Sequence, residues 1–323
     1  MLINKYIKKN ILLETFPRKI NDFFRKINKS PQYILVFIFG RFHAIRFIYV
    51  MQANLFHKSE KALKQNNFLS LFPELDTQKI VESLEQDGIA EDISLPQETL
   101  QEILEYAYSQ NCFADGRTDL GFNILDKNKI QQSLGYSFYV ARYFNVSNFC
   151  FAISRLSQDW KLQEIARRYI GKKAKYTGAS LYWTFPLTED TKPYEFSQFH
   201  YDLEDYASLR FCFYLTEVTL ENGPHICIKG SHKKKPVLSI FNYFSRMYPE
   251  QALKKFYAYD QFRTLTGKAG FGFIEDVFCF HKGEIPKSQP RLFLQLHFTI
   301  NDYGTQKYHD SRAPNTLKTI EVT

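Results

Sequence analysis

Short runs of aromatic and β-branched residues, separated by turn residues, dominate the chain from Ala174 onward and constrain its fold more than any other feature. The runs predict strands at Ser180–Phe185, Glu195–Asp202, Ser208–Thr216, His225–Lys229, Gly270–Phe280 and Arg291–Asn301. Short strands without alternating helices are typical of an antiparallel jelly roll made of two facing sheets. The segment from Lys233 to Thr266 has helical spacing instead, and we interpret it as an insertion that forms a wall or lid over the barrel mouth.

Helical signals dominate the chain before Ala174. Helices are predicted from Asp76 to Gln86, from Ser94 to about Ser109, and from Gln158 to Ile170. We therefore expect an α+β, mainly β protein: a double-stranded β-helix (a cupin-like jelly roll) with N-terminal helices and a helical insertion. The expected domains are a basic, helical N-terminal extension and a main domain. Their predicted bounds are 1–66 for the extension and 67–323 for the main domain, with 67–173 mainly helical, 174–304 the jelly-roll core and about 233–266 the insertion.

Charge is distributed unevenly along the chain. The net charge is +8, but residues 1–66 hold 13 Lys/Arg against 3 Asp/Glu, and the remaining residues hold 29 against 31. The nearly neutral main domain argues against binding of nucleic acid. The five cysteines are scattered and form no CxxC pair, which indicates buried thiols in a reducing compartment and predicts a cytoplasmic protein.

The hydrophobic run from Tyr33 to Val50 admits three interpretations. It has about the length of a membrane span, but Arg41, His43 and Arg46 interrupt it, and charge inside a bilayer is costly. The run is a helix packed on the core, a basic amphipathic segment resting on an anionic membrane surface, or a true span. The second interpretation predicts peripheral membrane contact through residues 1–66.

Three residues have the pattern of a metal site. His200 and Asp202 are two positions apart, so on a strand both side chains point to the same side. His281 is the preferred third ligand, because it closes a predicted strand and Gly283 lets the chain turn after it. Two imidazoles and a carboxylate hold a ferrous ion on one face and leave its other positions open.

Arg291 follows ten residues after His281, where the next strand runs back beside the metal. Its neighbours alternate as in a strand with both faces covered, and an arginine inside such a strand needs an anion. A guanidinium is suited to two-point binding of a carboxylate, such as the far carboxylate of 2-oxoglutarate. Triad and arginine together suggest an oxygenase that consumes a 2-oxo acid.

Three other histidines compete for the third ligand position. His232 lies in the turn Gly230–Lys233 and is interpreted as a turn residue or a substrate contact. His225 follows Pro224 at the start of a strand, where core or edge packing explains it better. His297 shares the strand parity of Arg291 but lies too far along the strand to be preferred.

Residues from about Gly178 to Gly304 resemble the phytanoyl-CoA dioxygenase-like family of iron and 2-oxoglutarate-dependent oxygenases. The matching pieces are Gln198–Asp202, Phe213–Val218, Glu221–Pro224, Lys229–His232, and Phe280–Gly283 with Arg291. The resemblance implies that His200, Asp202 and His281 bind Fe(II) and act in catalysis, that Arg291 binds 2-oxoglutarate, and that His232 is not a ligand.

The sequence departs from the family pattern at Gly283, where members often have a hydroxyl residue that assists the 2-oxoglutarate carboxylate. Another donor, Tyr182 or Tyr214, is then expected to take that role. Asp202 is present, whereas halogenating relatives replace the metal carboxylate by a small residue, so hydroxylation is expected.

The predicted activity is hydroxylation of a small-molecule or lipid-like substrate, with release of succinate and CO2. The alternatives are a non-catalytic jelly-roll binding module and a metal oxygenase that does not use 2-oxoglutarate.

Overall fold

The computed structural model describes residues 23–24, 26–28, 30–55, 69–187, 197–241, 247–303 and 311–320. Its helices are α1 Tyr33–Phe39, α2 His43–Leu55, α3 Thr77–Asp87, α4 Gln97–Ser109, α5 Lys127–Leu134, α6 Val146–Phe149, α7 Phe151–Gln158, α8 Trp160–Ile170, α9 Val237–Phe241 and α10 Glu250–Lys254. Its strands are β1 Ile89–Ser94, β2 Asn111–Ala114, β3 Gly121–Asn123, β4 Val140–Tyr143, β5 Lys175–Thr184, β6 Phe199–His200, β7 Ser208–Tyr214, β8 His225–Ile228, β9 Met247–Tyr248, β10 Phe262–Leu265, β11 Phe271–Asp276, β12 His281–Gly283 and β13 Arg291–Thr299.

The strands of the described chain form two sheets. The major sheet has eight strands in the order β1-β11-β7-β13-β5-β4-β2-β3, and the minor sheet has five in the order β10-β8-β12-β6-β9. Neighbouring strands are antiparallel, and a buried cluster joins the sheets face to face, with Tyr214 and Phe293 from the major sheet and Cys227 and Leu265 from the minor sheet. This architecture is the predicted double-stranded β-helix with added helices.

Alternation along the strands separates an apolar outer face from a more polar interior. On β13, Leu292, Leu294 and Leu296 pack into the cluster between the major sheet and the helices, while Phe293 packs inside the barrel. Arg291 has the parity of Phe293, because successive strand residues point to opposite faces. The interior of the barrel can therefore carry polar side chains while the sheet stays covered on its other side.

Local signals set the ends of the helices before the jelly-roll core. The Asp76 side chain accepts hydrogen bonds from the N–H groups of Gln78 and Lys79 and caps α3, and Gly88 ends that helix at φ +73°. Asp159 caps α8 in the same way, since its side chain accepts from two N–H groups of the first turn. The helix predicted from Ser94 begins instead at Gln97, because Ser94 is the last residue of β1.

The boundaries of several predicted segments differ from the observed ones. The stretch 67–173 contains β1 to β4 beside its helices, and both β9 and β10 lie inside the predicted helical insertion. The strand predicted to reach Phe280 ends at Asp276, and His281 begins β12 of the other sheet. Residues 195–196 of the predicted strand and 242–246 of the insertion lie outside the described residues.

The hydrophobic run of residues 33–50 folds as α1 and part of α2, which are separated at Gly40 and Arg41. Tyr33 and Val36 pack on the outer side of the minor sheet, in a cluster with Tyr201 and Leu203. Among the described helices, none is both long enough and apolar enough to cross a bilayer. Residues 1–22 and 56–66 of the predicted extension lie outside the described residues, and the domain division at 66 stays a prediction.

Candidate metal centre

His200 and His281 lie side by side on the minor sheet. They are directly opposite each other in the pairing of β6 with β12, and their ring centres are 4.5 Å apart. The Nδ1 atom of His200 donates to the Gln198 carbonyl at 2.8 Å, and Nδ1 of His281 donates to the Cys279 carbonyl at 3.0 Å. With the proton on Nδ1, each imidazole presents the Nε2 lone pair to a metal.

Asp202 completes the group two residues after His200. Its backbone N–H donates to the Val277 carbonyl at 2.8 Å, which ties this segment to the chain just before β12. Its Oδ2 atom lies 3.7 Å from Nε2 of His281. Burial lowers the pKa of His281 to about 4, so this imidazole is neutral at physiological pH, as metal binding requires.

The ligand atoms of His200, Asp202 and His281 all lie within 4.8 Å of one another. Within the described part of the chain, this is the one group of three or more His, Cys, Asp or Glu side chains with that geometry. A 2-His-1-carboxylate donor set suits Fe(II) with positions left open for other ligands. The residues present therefore fit a ferrous ion. His200 and His281 are about 80 residues apart in the sequence, so the group forms only when the chain folds.

Arg210 holds the carboxylate of the group in place. Its Nη2 atom donates to Oδ2 of Asp202 at 2.6 Å and to Oε1 of Glu204 at 2.7 Å, and its Nε donates to Nδ1 of His297 at 3.2 Å. Although burial opposes the charged form, Glu204 and Asp202 raise the pKa of Arg210 above its usual value. A permanent cation thus fixes the orientation of Asp202 and compensates its charge.

A buried acid lies behind His281. Oε2 of Glu275 is 3.0 Å from Nε2 of His225, and Oε1 is 3.6 Å from Nδ1 of His281. The His225 ring also stacks on the His281 ring, with centres 5.4 Å apart. Burial alone would raise the pKa of Glu275, but His281 and His225 outweigh it and hold that pKa at about 2. His281 of the candidate centre is therefore backed by a carboxylate.

Arg291 lies in the interior and connects the two sheets. It is 2% exposed, its Nη1 donates to the Gly223 carbonyl in the turn before β8, and its guanidinium carbon lies 5.1 Å from the centre of the Phe293 ring. Its buried Nε has no hydrogen-bond acceptor among the described residues, and none of their carboxylates forms an ion pair with it. A buried donor in this state is suited to receive an external anion.

Hydroxyl side chains surround Arg291, but they are not equivalent. Tyr214 donates its hydroxyl proton to the Leu265 carbonyl at 3.0 Å and accepts from the His225 N–H at 2.9 Å, so backbone groups already use it. Burial raises the pKa of Tyr182, while the nearby Arg291 acts in the opposite direction. Thr184 is directly opposite Arg291 in the pairing of β5 with β13 and shares its face.

The remaining candidate residues lie outside the triad. Nδ1 of His232 is 3.6 Å from the Cys279 sulfur, and this histidine is buried. His225 contacts Glu275, and His297 contacts Arg210, so both histidines pack behind the candidate ligands. Gly283 ends β12 opposite His225.

Sequence reasoning missed Arg210, Glu275 and Thr184. Arg210 could have been found from the sequence. It lies at alternate positions with Cys212 and Tyr214 on β7, so its side chain points into the barrel, where a charged residue needs partners. Thr184 lies within the predicted strand Ser180–Phe185, but threonine is typical of any strand. Glu275 gave no signal beyond being an acid in an apolar run.

Comparison with known proteins gives structural similarity without sequence similarity. No protein-family model matches the sequence, and no curated protein does. EctD from S. alaskensis, solved with bound Fe, has a TM-score of 0.50 at 16% identity, over 76% of this chain and 87% of its own. The α-ketoglutarate-dependent epimerase SnoN from nogalamycin biosynthesis has a TM-score of 0.48 at 14% identity, over 69% of this chain and 82% of its own. HygX from Streptomyces hygroscopicus, with nickel and 2-oxoglutarate bound, has a TM-score of 0.48 at 11% identity, over 71% of this chain and 89% of its own. The similarity to EctD shows a shared fold.

Proposed function

We propose that this protein is an Fe(II)- and 2-oxoglutarate-dependent oxygenase that hydroxylates a small-molecule or lipid-like substrate. The observation that carries the proposal is the convergence of His200, Asp202 and His281 within 4.8 Å. It is supported by the fold shared with the iron-bound EctD. The assignment to the phytanoyl-CoA dioxygenase-like family, and hydroxylation in preference to another oxidative outcome, stay predictions.

In this proposal, His200 and His281 bind the iron through Nε2 and Asp202 binds it through its carboxylate. When bound, iron and 2-oxoglutarate supply dioxygen activation, so that substrate C–H, 2-oxoglutarate and O2 give substrate C–OH, succinate and CO2. Arg210 keeps the Asp202 carboxylate oriented, and the hydrogen bonds from Nδ1 keep both imidazole planes fixed. The protein thereby supplies orientation and charge balance.

Arg291 is assigned to the far carboxylate of 2-oxoglutarate. Neighbouring rings connect the triad to this arginine: His225 stacks on His281, the tilted Phe293 ring has its centre 6.5 Å from that of His225, and the Arg291 guanidinium lies over Phe293. The proposal places one end of the acid at the metal group and the other at the guanidinium. Tyr182 is the preferred helper, because the hydroxyl groups of Tyr214 and Thr184 already donate to the carbonyls of Leu265 and Arg291, respectively.

Two features of the composition bear on the cellular context. All five cysteines, which lie in the described part, are buried free thiols, and this agrees with the predicted cytoplasmic localisation. The nearly neutral composition of residues 67–323 supports the prediction that nucleic acid is not a partner.

The decisive experiment is anaerobic addition of Fe(II) followed by 2-oxoglutarate. We expect the visible metal-to-ligand charge-transfer band of a chelated 2-oxo acid. Asp202→Ala should abolish iron binding. Arg291→Gln should leave iron binding intact but weaken the binding of 2-oxoglutarate by about 100-fold, because a charge-assisted hydrogen-bonded pair is lost. Arg263→Gln, which changes an exposed arginine of β10, is the matched control and should match the wild type.

The possible results separate the alternatives. Iron binding without the band would favour a metal oxygenase that does not use 2-oxoglutarate. Absence of iron binding in the folded wild-type protein would favour the non-catalytic binding module. Formation of succinate from 2-oxoglutarate in the presence of O2 would support the oxygenase class without naming the substrate.

A further inference from the structure

The outward sides of α1 and α2 form an apolar surface. Large side chains on both helices are between 40% and 63% exposed, namely Ile34, Leu35, Phe39, Phe47, Ile48 and Met51. The face continues onto α9, where Val237 is 67% and Phe241 58% exposed. Contiguous exposed apolar residues of this size mark an interaction surface, because single ones scattered over a surface would need no explanation.

The charged groups of this region point into the protein. Arg41, between the helices, is 2% exposed and donates to the carbonyls of Phe37 and Ile240. Arg46, the one charged residue within α1 and α2, is 6% exposed; it donates to the His232 carbonyl at 2.6 Å and lies 3.6 Å over the Phe278 ring. The helices therefore turn their arginines inward and their aliphatic and aromatic residues outward, the reverse of a water-exposed helix.

We propose that this outward face of α1, α2 and α9, here called the docking face, rests on an anionic lipid surface. Lysines lie at both ends of the helix pair: the Lys26 ammonium lies over the Tyr33 ring at the start of α1, and the exposed Lys172, whose backbone N–H donates to the Asn54 side chain, lies beside the end of α2. Apart from the inward-pointing Arg41 and Arg46, the sequence of residues 1–66 carries 11 Lys/Arg against 3 Asp/Glu. An apolar face flanked by cations is the pattern of helices that lie in the interface of anionic membranes.

The geometry favours lying on the membrane over crossing it. At about 1.5 Å per residue, α2 with its 13 residues extends about 20 Å, against a hydrocarbon core of about 30 Å. The break between the helices is packed on the body, because a Cβ at Gly40 would be 2.7 Å from the Val36 carbonyl oxygen and 3.0 Å from a Leu203 methyl group. Arg46 also holds α2 to the body, so the pair cannot detach to insert without losing that contact.

The docking face adjoins the segments that carry the metal-centre residues. The Tyr33 hydroxyl donates to the carbonyl of Leu203, the residue after Asp202, at 3.0 Å. On the other side, the Tyr248 hydroxyl donates to the Ser239 carbonyl of α9, and Tyr248 belongs to β9, which pairs with the strand of His200. Docking itself does not depend on the proposed chemistry, but it would hold the metal centre close to the lipid surface.

The test is flotation of the full-length protein with vesicles. We expect the wild type to float with phosphatidylcholine vesicles that contain phosphatidylserine, less with phosphatidylcholine alone, and less at high salt. The double variant Phe47→Gln/Ile48→Gln should bind the anionic vesicles at least about tenfold more weakly, since two apolar side chains are lost from the interface. The matched control Leu125→Gln/Phe151→Gln changes two side chains that are 76% and 72% exposed elsewhere, and it should bind like the wild type.

Several outcomes would overturn the proposal. Equal vesicle binding by the wild type and by Phe47→Gln/Ile48→Gln would show that the docking face is not used. A dimeric wild type that does not float and becomes monomeric with the same double variant would assign the face to a second copy of the chain. If that variant does not fold, as judged by its thermal melt, Ile34→Gln/Leu35→Gln on α1 provides the same test.

Discussion

At the scale of single residues, the candidate centre depends on side chains that support the three ligands. Arg210 binds Asp202, and the Nδ1 hydrogen bonds orient His200 and His281. Glu275 is the least expected of these residues, because a carboxylate whose side chain is 1% exposed is costly unless it is paired. Because it pairs with His225 beside His281, we expect it to orient the His281 imidazole.

Glu275→Gln is therefore expected to weaken Fe(II) binding by about 10- to 100-fold, the usual effect of changing a group that orients a metal ligand. The amide keeps the shape of the side chain and can still accept from His225, so the loss reports the missing charge. The measurement is anaerobic titration with Fe(II), with the thermal melt recorded for each protein.

Glu217→Gln, at an exposed position after β7, is the matched control and should titrate like the wild type. Unchanged iron affinity of Glu275→Gln would show that the acid stabilises the barrel interior only.

At the scale of elements, short strands and helix ends place the functional groups. β6 and β12 have only two and three residues, yet their pairing brings His200 and His281 together. The end of α3 is equally constrained: Gly88 has φ +73°, and its carbonyl accepts from the Asp276 N–H at the end of β11. A helix end is thus packed directly against the chain that leads to His281.

Gly88→Ala should lower the free energy of unfolding by about 3 kcal/mol. About 1 kcal/mol comes from the left-handed backbone and the rest from overlap of the new Cβ with the Cys279 sulfur and the His232 ring. Gly135→Ala is the matched control, since Gly135 also ends a helix at φ +70° but has no atom within 4 Å of the added Cβ.

Urea unfolding of both variants measures the difference. Gly135→Ala should lose only about 1 kcal/mol. Equal losses in the two variants would contradict the packing argument.

At the scale of the whole molecule, the N-terminal helices, the insertion and the minor sheet form one packed layer. Lys235 lies within this layer: its Nζ donates to the carbonyls of Ser231, at 2.9 Å, and of Phe278. Burial lowers the pKa of Lys235 to about 7 from the ordinary 10.5. Between these values the unfolded chain binds more protons than the folded one, so the free energy of unfolding rises with pH across that window.

Lys235→Met removes this titration. We compare the free energy of unfolding of the variant with that of the wild type. Relative to the wild type, the variant should be most stable at about pH 7 and below. Towards pH 10.5 it should lose stability relative to the wild type, by at most about 1.4 kcal/mol per pH unit. Urea unfolding at several pH values gives the slope, and Lys234→Met, at the exposed neighbouring position, is the control.

A pH-independent stability difference between Lys235→Met and the wild type would contradict the expectation. It would mean that the two carbonyls and the Tyr201 and Phe280 rings keep the ammonium charged throughout.

The sequence by itself determined features that local chemistry controls. Asp76 and Gly88 mark the ends of α3, and alternation along 291–299 marks a strand covered on both faces. His200-x-Asp202 marks two neighbouring candidate ligands, although the strand predicted to reach Asp202, β6, ends at His200. Each depends on residues within a few positions of one another. For that reason the jelly-roll class was predictable, although strand ends such as Asp276 were not.

The tertiary structure alone decided which distant groups meet. The register of β6 with β12 places His281 against His200, and the packing of the two sheets brings Arg210 to Asp202 and Glu275 to His225. It also decided that Arg41 and Arg46 point inward, which leaves an apolar face outside. Such choices depend on pairing and burial across the whole chain, because the energy of a buried charge is set by partners far away in sequence.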